Sequence, residues 1–207
     1  MADATISAPA AATDHHDDHP PTTTGMSNTK LAMWLFLGSE CLLFGALIST
    51  YILNKSRLPE GELGPEDVFD IPFTSVSSFV LLMSSLTMVL AVSNITRGDL
   101  ERFRIWVATT AILGGAFVAS QVYEFTVFYE EGLGYTTNIF SSSFFTLTGF
   151  HGAHVIIGII MLMSLLVLSN QGRLGQQNAE TVEIVGLYWH FVDIVWIVIF
   201  TLIYLFP

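Results

Sequence analysis

The sequence predicts an all-α, polytopic membrane protein folded as a bundle of five transmembrane helices. Three observations lead to this fold class. Hydrophobic residues make up 52% of the 207 residues and charged residues only 12%, whereas soluble domains carry about 25% charged residues. Five apolar segments are each long enough to cross a hydrocarbon core of about 30 Å. No segment alternates between polar and apolar residues as a barrel strand does.

Each helix is predicted from one apolar segment between turn-forming sequences. The first segment follows a polar N-terminal region, the second carries no charge, and the third begins after the stretch "TRGDLER". The fourth is longer than one crossing requires, so we expect it to tilt or to project beyond one interface. The fifth contains "YWHFVDIVWIVIF". The predicted helices cover residues 31–53, 73–95, 104–128, 139–169 and 184–206.

The first 29 residues are predicted to be a disordered, acidic tail ahead of a membrane domain of residues 30–207. The tail has no basic region followed by an apolar core, so it does not have the pattern of a secretory signal. His15, His16 and His19 are potential metal ligands, but a segment without a fold does not hold ligand geometry. We therefore interpret these histidines as part of a solvated tail.

The distribution of Lys and Arg predicts the orientation in the membrane. With a cytoplasmic N-terminus, five basic residues fall on the cytoplasmic side and two on the outer side. The five are Lys30, Arg97, Arg102, Arg104 and Arg173, and the two are Lys55 and Arg57. Because cytoplasmic loops carry the excess of Lys and Arg, we predict the N-terminus inside and the C-terminus outside.

Charge and cysteine content exclude several kinds of function. The formal net charge of -11 argues against nucleic acid as a partner, since that binding requires a basic surface. Cys41 is the only cysteine in the sequence. A single thiol rules out covalently attached haem, thiolate-ligated clusters and a two-cysteine copper centre in this chain.

Polar side chains inside the apolar segments are the candidate functional residues, because each is costly in lipid and needs a partner. They are Glu40, Gln121, Glu124, His151, His154, His190 and Asp193. Several are three residues apart and share a helical face, and Glu183 lies two turns before His190 on the same side. Small residues predict close helix contacts nearby. These are Gly38, Gly45, Ala111, Gly115, Ala119, Gly149 and Gly152.

Three chemical interpretations fit this set of residues. Histidines with carboxylates are ligands of zinc or non-haem iron, and two histidines on separate helices could clamp a haem. The interpretation that we favour is a hydrogen-bonded network joining the fourth and fifth helices. For Glu40, which has no basic neighbour in sequence, a proton-relay role and a structural role both remain open.

Four motifs together resemble subunit III of the haem-copper terminal oxidases. They are "WLFLGSECLLFGAL", "GGAFVASQVYEF", "FFTLTGFHGAHVIIG" and "LYWHFVDIVWIVIF". The resemblance covers residues 30–206, and "FDIPF" is similar to the short, five-helix bacterial members. It implies a multi-pass subunit of the bacterial plasma membrane with no catalytic centre and no cofactor of its own. The haems and copper of the complex would then be held by its partner subunits.

The resemblance also implies partners and residue roles. The partners would be catalytic subunit I, the copper-bearing subunit II and bound phospholipids, with a small subunit IV as a further candidate. The subunit would support proton uptake, with Glu40 at the position associated with proton or oxygen traffic. The remaining residues would be structural and lipid-associated: Gln121, Glu124, His151, His154, Glu183, His190 and Asp193.

The resemblance leaves three functional alternatives. The stretch "TGFHG" favours cytochrome c as the electron donor, whereas the five-helix layout and "FDIPF" favour the subunit III of a quinol oxidase. Of the two donors, we favour cytochrome c. The accessory protein of nitric oxide reductase shares the fold and most motifs. A membrane metalloprotein that uses His151, His154 and His190 is the alternative from another class.

Relative to the mitochondrial form of the family, the chain lacks two helices. In that form these two helices wall part of the lipid cleft.

Overall fold

A computed structural model describes residues 25–57 and 70–205. These ranges contain five long helices and no strand, which confirms the all-helical fold class. The helices are α1 (Asn28–Lys55), α2 (Ile71–Thr96), α3 (Leu100–Glu130), α4 (Ile139–Asn170) and α5 (Ala179–Phe200). A 3-10 turn (Gln176–Asn178) precedes α5, and a π-helical turn (Thr201–Leu205) extends it. The predicted tail lies outside the described residues up to position 24.

All five helices are long and apolar enough to cross a membrane. Helix α4 agrees with its predicted segment to within one residue. Helices α1, α2 and α3 start and end one to four residues outside the predicted apolar segments, and α5 starts five residues earlier than predicted, because the flanking polar residues are also helical. Helix α3, for example, begins at Leu100 and includes three charged residues in its first turns. A hydropathy pattern detects the part of a helix that lies in hydrocarbon and not its aqueous ends.

Side-chain caps explain where the first four helices begin. In each, an oxygen of the preceding residue accepts a hydrogen bond from the backbone N–H three positions on, which satisfies an otherwise unpaired donor. The capping residues are Ser27, Asp70, Asp99 and Asn138. Between α2 and α3, Gly98 has a φ of 79°, which suits glycine and lets the chain reverse.

Helix α5 lies at the centre of the bundle and α1 lies at its edge. Helix α5 packs on α2 and α4, α3 packs on α2 and α4, and α1 packs on α4 and α5. In the most apolar stretch of each helix, 56% of the α5 residues are buried, whereas only 11% of the α1 residues are. The buried residues of α1 are Leu37, Phe44 and Tyr51. Their seven-residue spacing gives one narrow stripe, so α1 is attached along a single line.

Glycines allow the indole ring of Trp189 to reach the middle of the bundle. A Cβ atom added at Gly114 of α3 would lie 2.5 Å from that ring, and one at Gly158 of α4 would lie 2.8 Å from it. Both distances are far below van der Waals contact, so the ring fits only because these positions lack a side chain. By contrast, a Cβ atom at Gly38 or Gly45 would meet nothing within 4 Å. The expected helix contacts at these two α1 glycines are therefore not formed.

Candidate functional site

Glu40 of α1 contacts His154 of α4 inside the membrane-crossing part of the bundle. Oε2 of Glu40 lies 3.2 Å from Nε2 of His154, and each side chain is 13% exposed. Nδ1 of the same ring lies 2.7 Å from the backbone oxygen of Phe150. A carbonyl oxygen only accepts hydrogen bonds, so Nδ1 carries a proton. The contact with Glu40 must contain one further proton, which belongs either to the imidazole ring or to the carboxyl group.

Aromatic residues of two helices enclose this Glu40–His154 pair. The Phe44 ring meets the His154 ring edge-on, with 5.1 Å between their centroids. The hydroxyl of Tyr188 on α5 donates to the backbone oxygen of His154 at 3.1 Å. Helices α1, α4 and α5 therefore all contribute to the pair. The sequence interpretation left Glu40 without a partner because His154 lies 114 positions further along the chain.

His151 is a packing residue and not a member of a hydrogen-bonded network. Its ring is fully buried, stacks on Trp196 at 4.8 Å and meets Phe117 edge-on at 5.9 Å. Neither ring nitrogen has a hydrogen-bond partner in the part of the chain that the structure describes. The ring fills space between α3, α4 and α5, so its shape and its aromatic contacts account for its position.

The expected pairing of His190 with Asp193 is not formed. Nδ1 of His190 lies 2.6 Å from the hydroxyl of Ser85 on α2. Asp193 is only 3% exposed, and its carboxylate oxygens make no hydrogen bond to any described residue, although the Ser85 side chain also lies close to it. An i,i+3 spacing places two side chains on one face but does not turn them toward each other. His190 therefore joins α5 to α2, and not to α4 as the predicted network required.

Serines of α2 are functional partners that the sequence interpretation missed. The indole N–H of Trp189 donates to Ser84 at 3.0 Å, and that of Trp196 donates to Ser78 at 2.8 Å. A signal for these contacts was present, since serine pairs repeat at seven-residue spacing in α2 and tryptophans repeat at the same spacing in α5. Such a repeat places the partners on matching faces of two antiparallel helices.

Gln121 and Glu124 of α3 bind to different helices. The Gln121 amide donates to the backbone oxygen of Thr148 on α4 at 3.1 Å. Oε1 of Glu124 accepts hydrogen bonds from Thr74 on α2 and from the hydroxyl of Tyr204, the latter at 3.2 Å. Each side chain thus satisfies its polar group across a helix boundary, as a buried polar group must in lipid.

Glu183 lies near one end of the bundle and joins α5 to α1. Its Oε1 lies 2.7 Å from Nζ of Lys30, and the two side chains are 46% and 24% exposed. The hydroxyl of Ser27, one turn before Lys30, donates to Glu180, one turn before Glu183. These contacts fasten the start of α1 to the start of α5. Glu183 is therefore a partner of Lys30 rather than of His190.

Six of the candidate residues thus form separate links between helix pairs, and not the single network expected from the sequence: Glu40, Gln121, Glu124, His154, Glu183 and His190. His151 and Asp193 form no hydrogen bond to a described residue. Among residues 25–57 and 70–205, no three His, Cys, Asp or Glu side chains are grouped closely enough to hold one metal ion. The alternative that uses His151, His154 and His190 as a common ligand set lacks that geometry. The Glu40–His154 pair brings a carboxyl group and an imidazole ring within hydrogen-bonding distance in the membrane-crossing region.

Comparison with known proteins gives a consistent result. The family model described as cytochrome c oxidase subunit III matches residues 10–207. Cytochrome c oxidase subunit 3 of Bacillus sp. (strain PS3) is 38% identical over 86% of each chain. Quinol oxidase subunit 3 of Bacillus subtilis is 40% identical over 88% of each chain. Cytochrome bo(3) ubiquinol oxidase subunit 3 of Pseudomonas aeruginosa is 36% identical over 92% of this chain and 90% of its own.

Proposed function

The chain belongs to the cytochrome c oxidase subunit III family, and from this premise we propose that it is a non-catalytic subunit of a proton-pumping haem-copper oxidase in aerobic respiration. Similarity to subunit 3 of several oxidases along most of the chain supports this role. The haems, the copper and the reduction of oxygen to water belong to the partner subunits in this proposal.

The Glu40–His154 pair supports a contribution to proton uptake. The pair holds a proton that either group can carry, and the two side chains are 13% exposed within the membrane-crossing region. A lone carboxylate at the centre of a membrane helix costs about 2.5 to 3.5 kcal/mol on insertion scales. Sharing a proton with an imidazole reduces that cost in either protonation state. We therefore assign to Glu40 the role of a proton-exchanging group whose partner is His154.

Lipid binding is the second part of the proposal. A groove of about 260 Å³ lies between α1 and α4. Its lining combines two apolar side chains with polar ones, which are those of Thr50, Asn54, Ser142, Ser143 and Thr146. An amphipathic lining of this kind suits the junction between an acyl chain and a polar headgroup. Only one stripe of α1 is buried against the bundle, so most of its surface is available to lipid.

The proposed setting is the bacterial plasma membrane, with the N-terminus inside. Subunit I is the direct partner, subunit II completes the complex, and a small subunit IV is a further candidate partner. Cytochrome c is the proposed electron donor. Relatives named for cytochrome c and for quinol are about equally similar to this chain, at 38% and 40% identity. Similarity to these relatives therefore does not distinguish the two donors, and a functional assay is needed to identify the donor.

The test is purification of the complex in mild detergent through a tag at Met1, with subunit composition and visible spectrum recorded together. We expect a haem-bearing subunit and a copper-bearing subunit to co-purify and the sample to consume oxygen. Reduced cytochrome c and a quinol, supplied separately, identify the donor, and nitric oxide consumption tests the reductase alternative. A chain that purifies alone with its own haem or metal would overturn the proposal.

A further inference from the structure

A pocket of about 540 Å³ lies between the start of α2 and the second half of α3. No residue of α1 lines it, so it is separate from the groove between α1 and α4 that we assigned to lipid. Its lining includes two carboxyl groups, three aromatic rings and one hydroxyl group, which belong to Asp70, Glu124, Phe73, Tyr123, Phe128 and Ser120. We call it the Glu124 pocket.

The Glu124 pocket lies near the end of the bundle at which α2 begins and α3 ends. Asp70 caps the first turn of α2, and Glu124 precedes Glu130, the last residue of α3, by six positions. At 1.5 Å per residue, this places Glu124 about 9 Å from the end of a helix that is longer than one crossing of the hydrocarbon core. Lipid headgroups and solutes of the aqueous phase can therefore reach this depth.

The two carboxylate oxygens of Glu124 have different surroundings. Oε1 faces the interior of the bundle, within hydrogen-bonding distance of the hydroxyl groups of Thr74 and Tyr204. Oε2 has no hydrogen-bond partner among the described residues, yet it keeps accessible surface, unlike the two oxygens of Asp193. Because Glu124 is only 6% exposed and lines the pocket, Oε2 is an acceptor that a molecule in the pocket can reach.

The Glu124 pocket holds two acidic groups without a neighbouring cation. Asp70 lies close enough to Glu124 to act on its charge. Among residues 25–57 and 70–205, no Lys, Arg or His forms an ion pair with either carboxyl group. Residues 58–69, which precede Asp70 in the sequence, include four acidic residues and no basic one. Since neighbouring carboxylates repel each other and a nearby positive charge favours their ionised form, the pocket is suited to a cation.

The aromatic part of the lining favours an ammonium group over a metal ion. The rings of Phe73 and Tyr123 lie 5.5 Å apart between centroids and are tilted by 54°, so they form two adjoining parts of the lining. Aromatic rings attract ammonium groups, whereas Ca²⁺ and Mg²⁺ require several oxygen ligands. In the described part of the chain, no three His, Cys, Asp or Glu side chains are grouped closely enough to hold a metal ion.

We propose that the Glu124 pocket binds the ammonium group of an alkylamine. The ammonium group donates a hydrogen bond to Oε2 of Glu124, Asp70 supplies a second negative charge, and the carbon atoms next to the nitrogen contact Phe73 and Tyr123. Two sources carry this chemistry, namely the headgroup of phosphatidylethanolamine and a soluble amine from the aqueous phase. The inference does not depend on the proposed function, because residues of this chain alone line the pocket.

The first test measures protection by an amine against heating. The tagged chain, in the assembly with which it purifies, is placed in nanodiscs of phosphatidylglycerol, which carries no amine. Phosphatidylethanolamine is then added to the lipid, or ethanolamine to the buffer, and the temperature at which half of the chain remains soluble is recorded. A ligand that binds the folded state raises this temperature. We expect a rise with at least one of the two additions, and the effective addition identifies the source.

Three variants connect this rise to the pocket. Glu124→Gln keeps an oxygen for Thr74 and Tyr204 but removes the charge, so the rise should disappear. Asp70→Asn keeps the helix cap and should reduce the rise, since Asn caps helices as well as Asp. Glu130→Gln is the matched control, because it removes a carboxyl group of α3 outside the pocket, and it should keep the full rise. No rise with either amine, or an equal rise in Glu124→Gln, would overturn the inference.

The second test locates the bound amine by photolabelling. The probes are phosphatidylethanolamine with a diazirine at the start of one acyl chain and a diazirine-bearing alkylamine. Phosphatidylglycerol with the same diazirine and the N-acetylated alkylamine are their controls without a positive charge. We expect the amine that protects against heating to label the start of α2 and the second half of α3 several-fold more than its control does. Equal labelling by the amine and its control at these segments would overturn the inference.

Discussion

Oε2 of Glu40 and Nε2 of His154 lie 3.2 Å apart, within hydrogen-bonding distance, across the boundary between α1 and α4. The hydrogen bond from Nδ1 to the backbone oxygen of Phe150 fixes which nitrogen faces the carboxyl group. In the role that we propose, the pair passes a proton between two groups of the same chain without leaving an isolated charge in the membrane. Its role in the complex can be tested by removing each group separately and both together.

Glu40→Ala is expected to reduce the number of turnovers that the purified oxidase completes before inactivation several-fold and to leave its haem content unchanged. Under the proposed function, the substitution removes a proton-exchanging group, and the haems belong to the partner subunits and not to this chain. The measurement is the number of turnovers before inactivation, with the visible spectrum recorded on the same sample. Glu40→Gln, which keeps the size but cannot ionise, should behave like Glu40→Ala. Loss of haem from the assembled variant complex would contradict this prediction.

His154→Gln is expected to reproduce the effect of Glu40→Ala, and the double variant should inactivate no faster than the more impaired single variant. Groups that act as one unit give non-additive effects when both are removed. The measurement is the inactivation rate of the wild type, the two single variants and the double variant under one set of conditions. Additive effects on the logarithm of that rate would show that the two residues act independently.

The sequence predicted the number and order of the helices but not the partners of their polar side chains. Helix positions follow from a local property, the length of each apolar segment, which hydropathy measures directly. Hydrogen-bond partners depend on which helices become neighbours, and Glu40 and His154 are separated by 114 positions. Local spacing therefore suggested a His190–Asp193 pair, whereas the structure places Ser85 of α2 at the imidazole ring.

Gly114→Ala is expected to destabilise the bundle, whereas Gly38→Ala is not. The added methyl group at position 114 would lie 2.5 Å from the Trp189 ring, while the one at position 38 would meet nothing within 4 Å. Overpacking a well-packed core typically costs about 1 to 3 kcal/mol. Removing a glycine from an open helical position instead gains up to about 1 kcal/mol. The difference in stability between the two variants is measured by heating the detergent-solubilised complex and recording the temperature at which this subunit is released. Equal midpoints for the two variants would contradict the placement of Trp189.

Lys30→Met is expected to cost little, about 0.2 to 1 kcal/mol, because the Lys30–Glu183 pair is partly exposed and water weakens its attraction. The charge-swapped variant, Lys30→Glu with Glu183→Lys, should recover most of the loss if the direct contact matters. The same thermal measurement at low and high salt tests this, since added salt should narrow the difference between wild type and Lys30→Met. A salt-independent loss would indicate that the Lys30 side chain acts through packing.

Ser78→Ala is expected to destabilise the contact between α2 and α5 by about 1 kcal/mol. The hydroxyl of Ser78 accepts a hydrogen bond from the buried indole N–H of Trp196 at 2.8 Å, and the substitution leaves that donor without an acceptor. Hydrogen bonds between helices in membranes contribute about 0.6 kcal/mol on average and up to about 1.7. Ser75→Ala is the matched control, because the Ser75 hydroxyl bonds to the backbone oxygen of Ile71 within its own helix. The expected result is a lower unfolding midpoint for Ser78→Ala than for Ser75→Ala, with a red shift in tryptophan emission if water enters at Trp196. Equal midpoints would contradict a stabilising role for the hydrogen bond between Ser78 and Trp196.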